Sequence, residues 1–191
     1  MELKRVVVTG LGAVTPLGLN VDETWEALLN GVSGAGPITH FDASQFKTQF
    51  ACEVKNFDPT LYLDKKEVRK FDRYAQFAVA AAKEAVGDSA LDLEKVDKNR
   101  VGVIFAAGIG GIRTFEEEVG GYFTNIERGP KFNPFFIPKM IADIAAGHIS
   151  MIYGFHGPNY ATVSACASST HSLIDAFNNI RLGKADVIVT G

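Results

Sequence analysis

The chain has little cysteine and little net charge, and each shortage excludes a class of protein. Its 191 residues include two cysteines, Cys52 and Cys166, which are too few and too far apart for a disulfide framework and which fit a reducing cytosol. The net charge of −3 argues against a general nucleic-acid binder. We therefore expect a cytoplasmic protein without a nucleic-acid partner.

Long apolar runs and metal-binding patterns are also missing. The apolar run at 6–8 is too short for a signal peptide, and the uncharged run at 101–112 is glycine-rich and shorter than the roughly 18 apolar residues of a transmembrane helix. None of the four histidines forms a spaced cluster with cysteine or with another histidine. We therefore expect no membrane partner, no metal site and no cofactor.

Buried-type strands alternate with helical patterns along the chain, which predicts an α/β fold with a largely parallel sheet. An aromatic loop bracketed by prolines is predicted at 132–138, and His148 is expected to be a core histidine with its hydrogen bonds satisfied. The predicted strands are 6–8, 101–107, 160–164 and 186–190, with a weak one near 50–54, and the predicted helices are 22–30, 64–86, 113–126, 141–149 and a last one that ends at Gly183.

Cys166 stands where a predicted strand meets a predicted helix. Unpaired N–H groups and the positive end of the helix dipole at that position favour a thiolate, which is the reactive form of cysteine. An inert, buried cysteine is the alternative, but the small neighbours Ala165 and Ala167 leave room for a substrate. The serine hydroxyls that follow would cap the helix or line a pocket. The apolar face of this helix is predicted to be Leu173, Ile174, Phe177 and Ile180.

Two other patterns are ambiguous by themselves. The basic residues of helix 64–86 would share one face by their i, i+3, i+4, i+7 spacing, either as a solvated face or as a patch for an acidic partner. The segment 108–111 is either a plain turn or a place where a ligand approaches the backbone closely. The basic residues of the face predicted for helix 64–86 are Lys66, Arg69, Lys70 and Arg73. The glycines at 10–12 lack the third glycine and the acidic residue of a dinucleotide-binding fingerprint.

Five segments, in order along the chain, carry a resemblance to a known family. They are Arg5–Gly12, Gly108–Gly111, Asn133–Pro138, Gly157–Pro158 and Thr162–Ser169. Together they resemble the β-ketoacyl-[acyl-carrier-protein] synthases, above all the type II condensing enzymes of bacterial fatty-acid elongation. The resemblance implies a thiolase-like α/β fold, with a mostly parallel sheet flanked by helices, of which this chain would be the first half of a five-layer α-β-α-β-α body.

The resemblance also implies a role for each matching position. Cys166 would take an acyl chain from an acyl-carrier thioester, and its backbone N–H would form one arm of an oxyanion hole. Malonyl-carrier protein would then be decarboxylated, and its carbanion would attack the acyl-enzyme. Gly108 and Ile109 would line the acyl tunnel, and Phe135 and Phe136 would belong to the loop that closes it from the neighbouring subunit. The basic residues that would meet acidic acyl carrier protein are Lys66, Arg69 and Lys70, with Arg128 and Lys131 in addition.

A homodimer and an incomplete catalytic centre are further implications. The strand 160–164 would lie near the two-fold axis. The family's two catalytic histidines, a lysine and the second oxyanion donor belong to a C-terminal half that this sequence does not contain. We therefore expect 1–191 to be the N-terminal half of a longer enzyme, or to need a second polypeptide, and not to run the full condensation alone. A polyketide-type or priming condensing enzyme and a non-catalytic acyl-carrier-binding or assembly module stay as alternatives.

Overall fold

The computed structural model of the chain describes residues 3–129 and 131–191. Within these ranges no helix is long and apolar enough to cross a membrane. The described α-helices are α1 (Val21–Leu29), α2 (Lys65–Val68), α3 (Arg73–Asp88), α4 (Ile112–Thr124), α5 (Phe136–Met140), α6 (Ile144–Tyr153) and α7 (Ser168–Arg181). The described strands are β1 (Gly36–Pro37), β2 (Phe50–Ala51), β3 (Val101–Ile104), β4 (Asn159–Tyr160) and β5 (Val187–Thr190).

A three-stranded parallel sheet with the order β4-β3-β5 lies at the centre of the fold. Val103 is in register with Asn159 on one side and with Val189 on the other. Beyond the ends of the strands the backbones stay together, since the amide of Ala107 donates to the carbonyl of Thr162 at 3.4 Å. Because the strands are parallel, their carboxyl ends lie at one edge of the sheet. The predicted α/β fold with a parallel sheet is confirmed.

Helices cover both faces of this sheet. On one face α6 packs against β3 and α3 packs against β5 and α6, and small residues on both helices let the backbones approach closely. Side chains alternate along a strand, and Ile104 is fully buried outside the core cluster that contains Val101 and Val103. The helix α7, which contacts β3 and β5 and buries Ser172 and Ala176, covers that second face. The fully buried residues of α3 and α6 are Ala75, Val79, Ala145, Ala146 and Ile149.

Residues typical of helix caps mark several of the helix ends. Asp72 precedes α3, and its side chain accepts a hydrogen bond from the amide of Tyr74. Gly31 and Gly183 follow α1 and α7 with φ of +64° and +72°, a left-handed backbone that glycine adopts without a steric cost. Both glycines stand where the sequence predicts that a helix stops.

The strand predicted at 6–8 is wrong. In this part of the chain Val8 is 77% exposed and no strand is formed. The backbone just beyond it lies along α3, where the amide of Leu11 donates to the carboxylate of Asp88 at 2.9 Å. Helix side chains, rather than a neighbouring strand, therefore hold this segment.

The single helix predicted at 64–86 is two helices, α2 and α3. Between them the side-chain amide of Gln76 donates to the carbonyls of Val68 and Phe71, at 3.1 Å and 3.2 Å. These bonds satisfy carbonyls that a continuous helix would have used itself. Asp72 then starts the second helix as its N-cap.

Other elements also differ in extent. The strand predicted at 101–107 is limited to Val101–Ile104, and the helix predicted at 141–149 spans Ile144–Tyr153. The strand predicted at 160–164 is limited to Asn159–Tyr160, although the backbone remains beside β3 as far as Thr162. The aromatic segment 132–138, predicted as a loop, includes the first turn of α5. Pro138 is compatible with that turn because the first amides of a helix have no partner within it.

His148, on α6, is not the satisfied core histidine that the sequence predicts. Among the described residues its Nε2 is buried without a hydrogen-bond partner. Its ring instead stacks on Phe71, with ring centroids 3.5 Å apart. Burial lowers the pKa of the imidazole, an effect that nearby Glu67 opposes.

Candidate active site

Cys166 lies beyond the carboxyl end of β4, in the connection to α7. It is the middle residue of a single 3-10 turn, Ala165–Ala167, that leads directly into the helix. Its thiol is free and exposed. The predicted position between a strand and a helix N-terminus is therefore present, and the cysteine is not buried.

The residue before the cysteine has a left-handed backbone. Ala165 has φ of +52°, a conformation that costs a residue with a Cβ roughly 1–2 kcal/mol. The hydroxyl of Ser168 holds this turn, because it accepts from the amide of Ser164 and donates to the carbonyl of Ala165, both at 2.7 Å. Strained backbone of this kind clusters at functional sites. The turn presents Cys166 to solvent.

A group of hydroxyls supports the turn from the protein interior. The Oγ1 of Thr162 donates to the carbonyl of Ser168 at 2.7 Å and lies 2.8 Å from the Oγ of Ser172. Ser168 and Ser172 are 4% and 0% exposed. Ser168 therefore stabilises the turn by hydrogen bonds, whereas the sequence predicted that the serines after Cys166 cap the helix or line a pocket.

His171 contacts the same turn from outside. Its Nδ1 lies 2.6 Å from the Oγ of Ser164, two residues before Cys166. Over the described ranges, no group of three or more His, Cys, Asp and Glu side chains is placed to hold a metal ion. His171 thus joins the hydrogen bonds that fix the cysteine turn.

Gly108 and Ile109 follow β3 at the same edge of the sheet as Cys166. A Cβ built on Gly108 would meet nothing within 4 Å, and Ile109 is 69% exposed. The end of this loop is crowded, because a Cβ on Gly111 would lie 2.5 Å from the carbonyl oxygen of Lys139. The loop 108–111 is therefore open where the sequence predicts acyl binding and tightly packed where it meets α5.

Phe135 and Phe136 stand at the start of α5, which packs against the loop 108–111. The amide of Gly111 donates to the carbonyl of Met140, the last residue of α5, at 2.9 Å. Phe136 is half-buried among stacked aromatic rings, while Phe135 is exposed with the Nζ of Lys70 5.9 Å from its ring centroid. The structure thus joins the two segments that the sequence assigns to the acyl chain.

The basic residues predicted to share one helix face do not share it. The break between α2 and α3 separates Lys66 and Arg69 from Arg73. The guanidinium of Arg73 lies over the rings of Phe57 and Phe77, 5.5 Å and 5.0 Å from their centroids. Lys66 and Arg69 stay exposed at the end of α2 and just after it.

The other predicted docking residues have different surroundings. Lys70 is half-buried and forms an ion pair with Glu67 at 2.7 Å. Arg128 and Lys131 together line an open cleft of about 440 Å³, which they share with acidic residues of α4. The five basic residues thus form two groups, one at α2 and one after α4.

Comparison with known proteins accounts for nearly the whole chain. Residues 3–191 match the family described as "Beta-ketoacyl synthase, N-terminal domain". The chain belongs to the β-ketoacyl synthase family. The proteins named "3-oxoacyl-[acyl-carrier-protein] synthase 2" from Staphylococcus aureus (strain COL) and Coxiella burnetii (strain RSA 493 / Nine Mile phase I) are 44% and 45% identical to it, over 189 and 191 residues.

This β-ketoacyl synthase chain spans less than half the length of those relatives. The matches cover 98% and 100% of the chain but 45% and 46% of the relatives. A solved structure, "The ishigamide ketosynthase/chain length factor", matches with a TM-score of 0.87 at 28% identity, over 100% of this chain and 47% of that one. The thiolase-like fold implied by the sequence resemblance is confirmed.

Sequence reasoning missed residues that connect the elements around the candidate site. Asp72, which hydrogen-bonds across to Thr114 on α4, was hidden inside a helix pattern that continues through it. An Asp before a helical run is an N-cap signal that could have revealed it. The contacts of Thr162 and Ser172 had no such signal, because they depend on how the segment after β4 packs against α7.

Proposed function

We propose that this chain carries the acyl-accepting site of a 3-oxoacyl-[acyl-carrier-protein] synthase of fatty-acid elongation, with Cys166 as the nucleophile. The observation that carries the proposal is the exposed thiol on a strained, hydroxyl-braced turn at the start of α7. The Sγ attacks the thioester carbonyl carbon, the bond from that carbon to the carrier thiol breaks, and the carrier thiol leaves with the proton. The N–H groups of the first helical turn stabilise the negative charge that develops.

The second half of the proposed reaction uses the acyl-enzyme as an electrophile. Malonyl-carrier protein loses carbon dioxide, and its carbanion attacks the acyl carbon on Cys166. A carbon–carbon bond forms, the bond from Sγ to the acyl carbon breaks, and 3-oxoacyl-carrier protein leaves. We propose that this step needs polypeptide beyond residues 1–191, in keeping with relatives of which the chain covers 45% and 46%.

The acyl chain would lie between the loop 108–111 and the start of α5. Gly108 and Ile109 would line it, and the free space around Gly108 supports this placement. Phe135 and Phe136 would close it, and the contact between α5 and the loop supports their role. These positions follow the family resemblance.

Acyl carrier protein is the partner proposed for the basic residues. Lys66 and Arg69 are exposed, and Lys70 reaches from the same segment to the ring of Phe135. An acidic carrier docked there would deliver its thioester beside the proposed acyl site. Arg128 and Lys131 would extend the contact across the cleft after α4. The names of the relatives, which include the acyl carrier protein, support this choice of partner.

Mass spectrometry of the intact chain tests the nucleophile directly. We expect incubation with an acyl-carrier-protein thioester to add one acyl mass to the wild type and none to Cys166→Ala, with Cys166→Ser acylated far more slowly. Cys52→Ala is the matched control, because Cys52 is the other free, exposed thiol and should not affect the adduct.

The same experiment separates the rival functions. An adduct that survives in Cys166→Ala would refute the proposed nucleophile. Carrier binding without any adduct would favour a non-catalytic carrier-binding module. Acylation only by priming or polyketide-type thioesters would favour those relatives within the fold, whereas the curated names favour the fatty-acid enzyme.

A further inference from the structure

Asp72 is a buried carboxylate that bonds to the first turns of two helices. It is 8% exposed. Its Oδ1 accepts from the amide of Tyr74 in α3 at 3.1 Å, and its Oδ2 accepts from the amide and the hydroxyl of Thr114 in α4, at 3.2 Å and 2.6 Å. Among the described residues it forms no ion pair. Three donors and the positive ends of two helix dipoles stabilise its charge instead.

The helix α4 has no N-cap side chain of its own. Gly111 precedes it and offers no side-chain oxygen. Asp72, which stands 42 positions before Thr114, supplies the bond that a capping residue would make. A Cβ on Gly111 would lie 3.1 Å from the Oδ2 of Asp72, so the carboxylate also packs against the end of the loop 108–111. The start of α3 thus contacts the point where this loop ends and α4 begins.

Tyr74 connects the same turn of α3 to the chain just after α5. Its hydroxyl donates to the carbonyl of Ile141 at 2.5 Å. Burial, and then the charges of Asp72 and Asp143, raise the pKa of this hydroxyl, which keeps it protonated and able to donate. Both segments assigned to the acyl chain are therefore anchored at the first turn of α3.

We propose that Asp72 is a positioning residue for the acyl site. By capping α3 and α4 together, it fixes the distance between the loop 108–111 and α5, and so the space that the acyl chain of the Cys166 thioester occupies. This inference rests on the proposed function, since it assigns that space to an acyl chain. The carrier-docking segment at α2 leads directly into Asp72, so the docking surface and the acyl site share this anchor.

Asp72→Asn tests the anchor with little change in shape. The amide keeps one acceptor oxygen but presents its NH₂ group to the donors of one helix. On the 191-residue chain we expect hydrogen–deuterium exchange at 111–115 to become about tenfold faster, the size of effect expected from a lost cap. Asp58→Asn is the matched control, because Asp58 also accepts from the amide and hydroxyl of a threonine, Thr60, at 2.8 Å and 2.7 Å. It should leave exchange at 111–115 unchanged.

A selectivity measurement distinguishes positioning from plain destabilisation. We expect Asp72→Asn to change, at least several-fold, the ratio of Cys166 acylation rates by acetyl- and palmitoyl-carrier protein. A general loss of stability would lower both rates together and leave the ratio intact. Thr114→Val, which removes the hydroxyl donor, should reproduce the change. Thr114→Ser, which keeps the hydroxyl, should show the same ratio as the wild type.

Each failure has a distinct signature. Unchanged exchange at 111–115, or an unchanged acylation ratio in a chain whose wild type is acylated, would overturn the role of Asp72 alone. A wild type that is never acylated would overturn the proposed function and with it this inference.

Discussion

Single glycines set how closely the loop 108–111 approaches α5. A Cβ on Gly111 would lie 2.5 Å from a backbone oxygen, which cannot move without shifting the helix, whereas Gly108 has free space around it. We therefore expect Gly111→Ala to lower the free energy of unfolding by about 1–3 kcal/mol. Gly108→Ala should change it by no more than about 0.5 kcal/mol. Urea denaturation of both variants measures the contrast, and equal losses would refute the close packing of Gly111.

At the scale of single residues, the sequence predicts the position of Cys166 but not the residues that stabilise its turn. Cys166 could be placed because a strand pattern, small neighbours and a helix pattern all meet at one point in the chain. The left-handed backbone of Ala165 could not be predicted, since alanine rarely adopts it without outside constraint. That constraint comes from Ser168, through bonds to the backbone of Ser164 and Ala165 that no periodic pattern encodes.

At the scale of elements, periodicity finds helices but not their interruptions. The apolar spacing of 64–86 continues in phase through Asp72. The structure nevertheless ends α2 at Val68, and Asp72 is the N-cap of a second helix, α3. The valines of 6–8 have strand propensity, but a strand needs a partner, and the carboxylates of α3 hold the neighbouring backbone instead. The apolar stripe predicted for α7 is likewise on the exposed side, with Phe177 42% exposed and Ser172 buried.

Asp186, just before β5, forms ion pairs with Arg100 and Lys4, and their contribution to stability should depend on pH. Its carboxylate bonds to both Nε and a terminal nitrogen of Arg100, at 3.1 Å and 2.9 Å, and to Lys4 at 2.8 Å. The hydrogen bonds from Arg100 and then from Lys4 hold its pKa well below the ordinary value. Because the groups are partly exposed, we expect Asp186→Asn to cost roughly 1 kcal/mol at neutral pH and low salt.

The sign of the pH effect follows from the lowered pKa of Asp186. The stabilisation is fully present above the unfolded-state pKa of about 3.9 and is lost as the pH falls through the folded-state value. The difference in unfolding free energy between wild type and Asp186→Asn should therefore shrink below about pH 4, and it should also shrink in high salt. In the control Asp42→Asn, where hydrogen bonds from Ser44 lower the pKa, salt should have little effect. A difference that stays constant with pH would contradict the assignment.

At the scale of the whole molecule, large apolar side chains are exposed over much of the described surface. Val8, Leu29 and Trp25 are exposed by 77%, 70% and 61%. Exposed apolar side chains in this number favour contact with more protein. The family resemblance predicts two such contacts, with the other half of the synthase and with a second copy of the chain, and neither can be read from local sequence patterns.

The proposed homodimer gives a test at this scale. β4 is an edge strand of the described sheet. The carbonyls of Tyr160 and Thr162 accept from the β3 side, so the backbone groups of the alternate residues, among them Val163 just beyond β4, point toward the free edge. We expect sedimentation velocity to show a dimer for the wild type and a monomer for Val163→Lys, because a charge blocks edge-to-edge pairing. Val32→Lys is the control, since Val32 is 53% exposed against 57% for Val163 but lies after α1. A dimer that persists in Val163→Lys, or that Val32→Lys disrupts equally, would place the two-fold axis elsewhere.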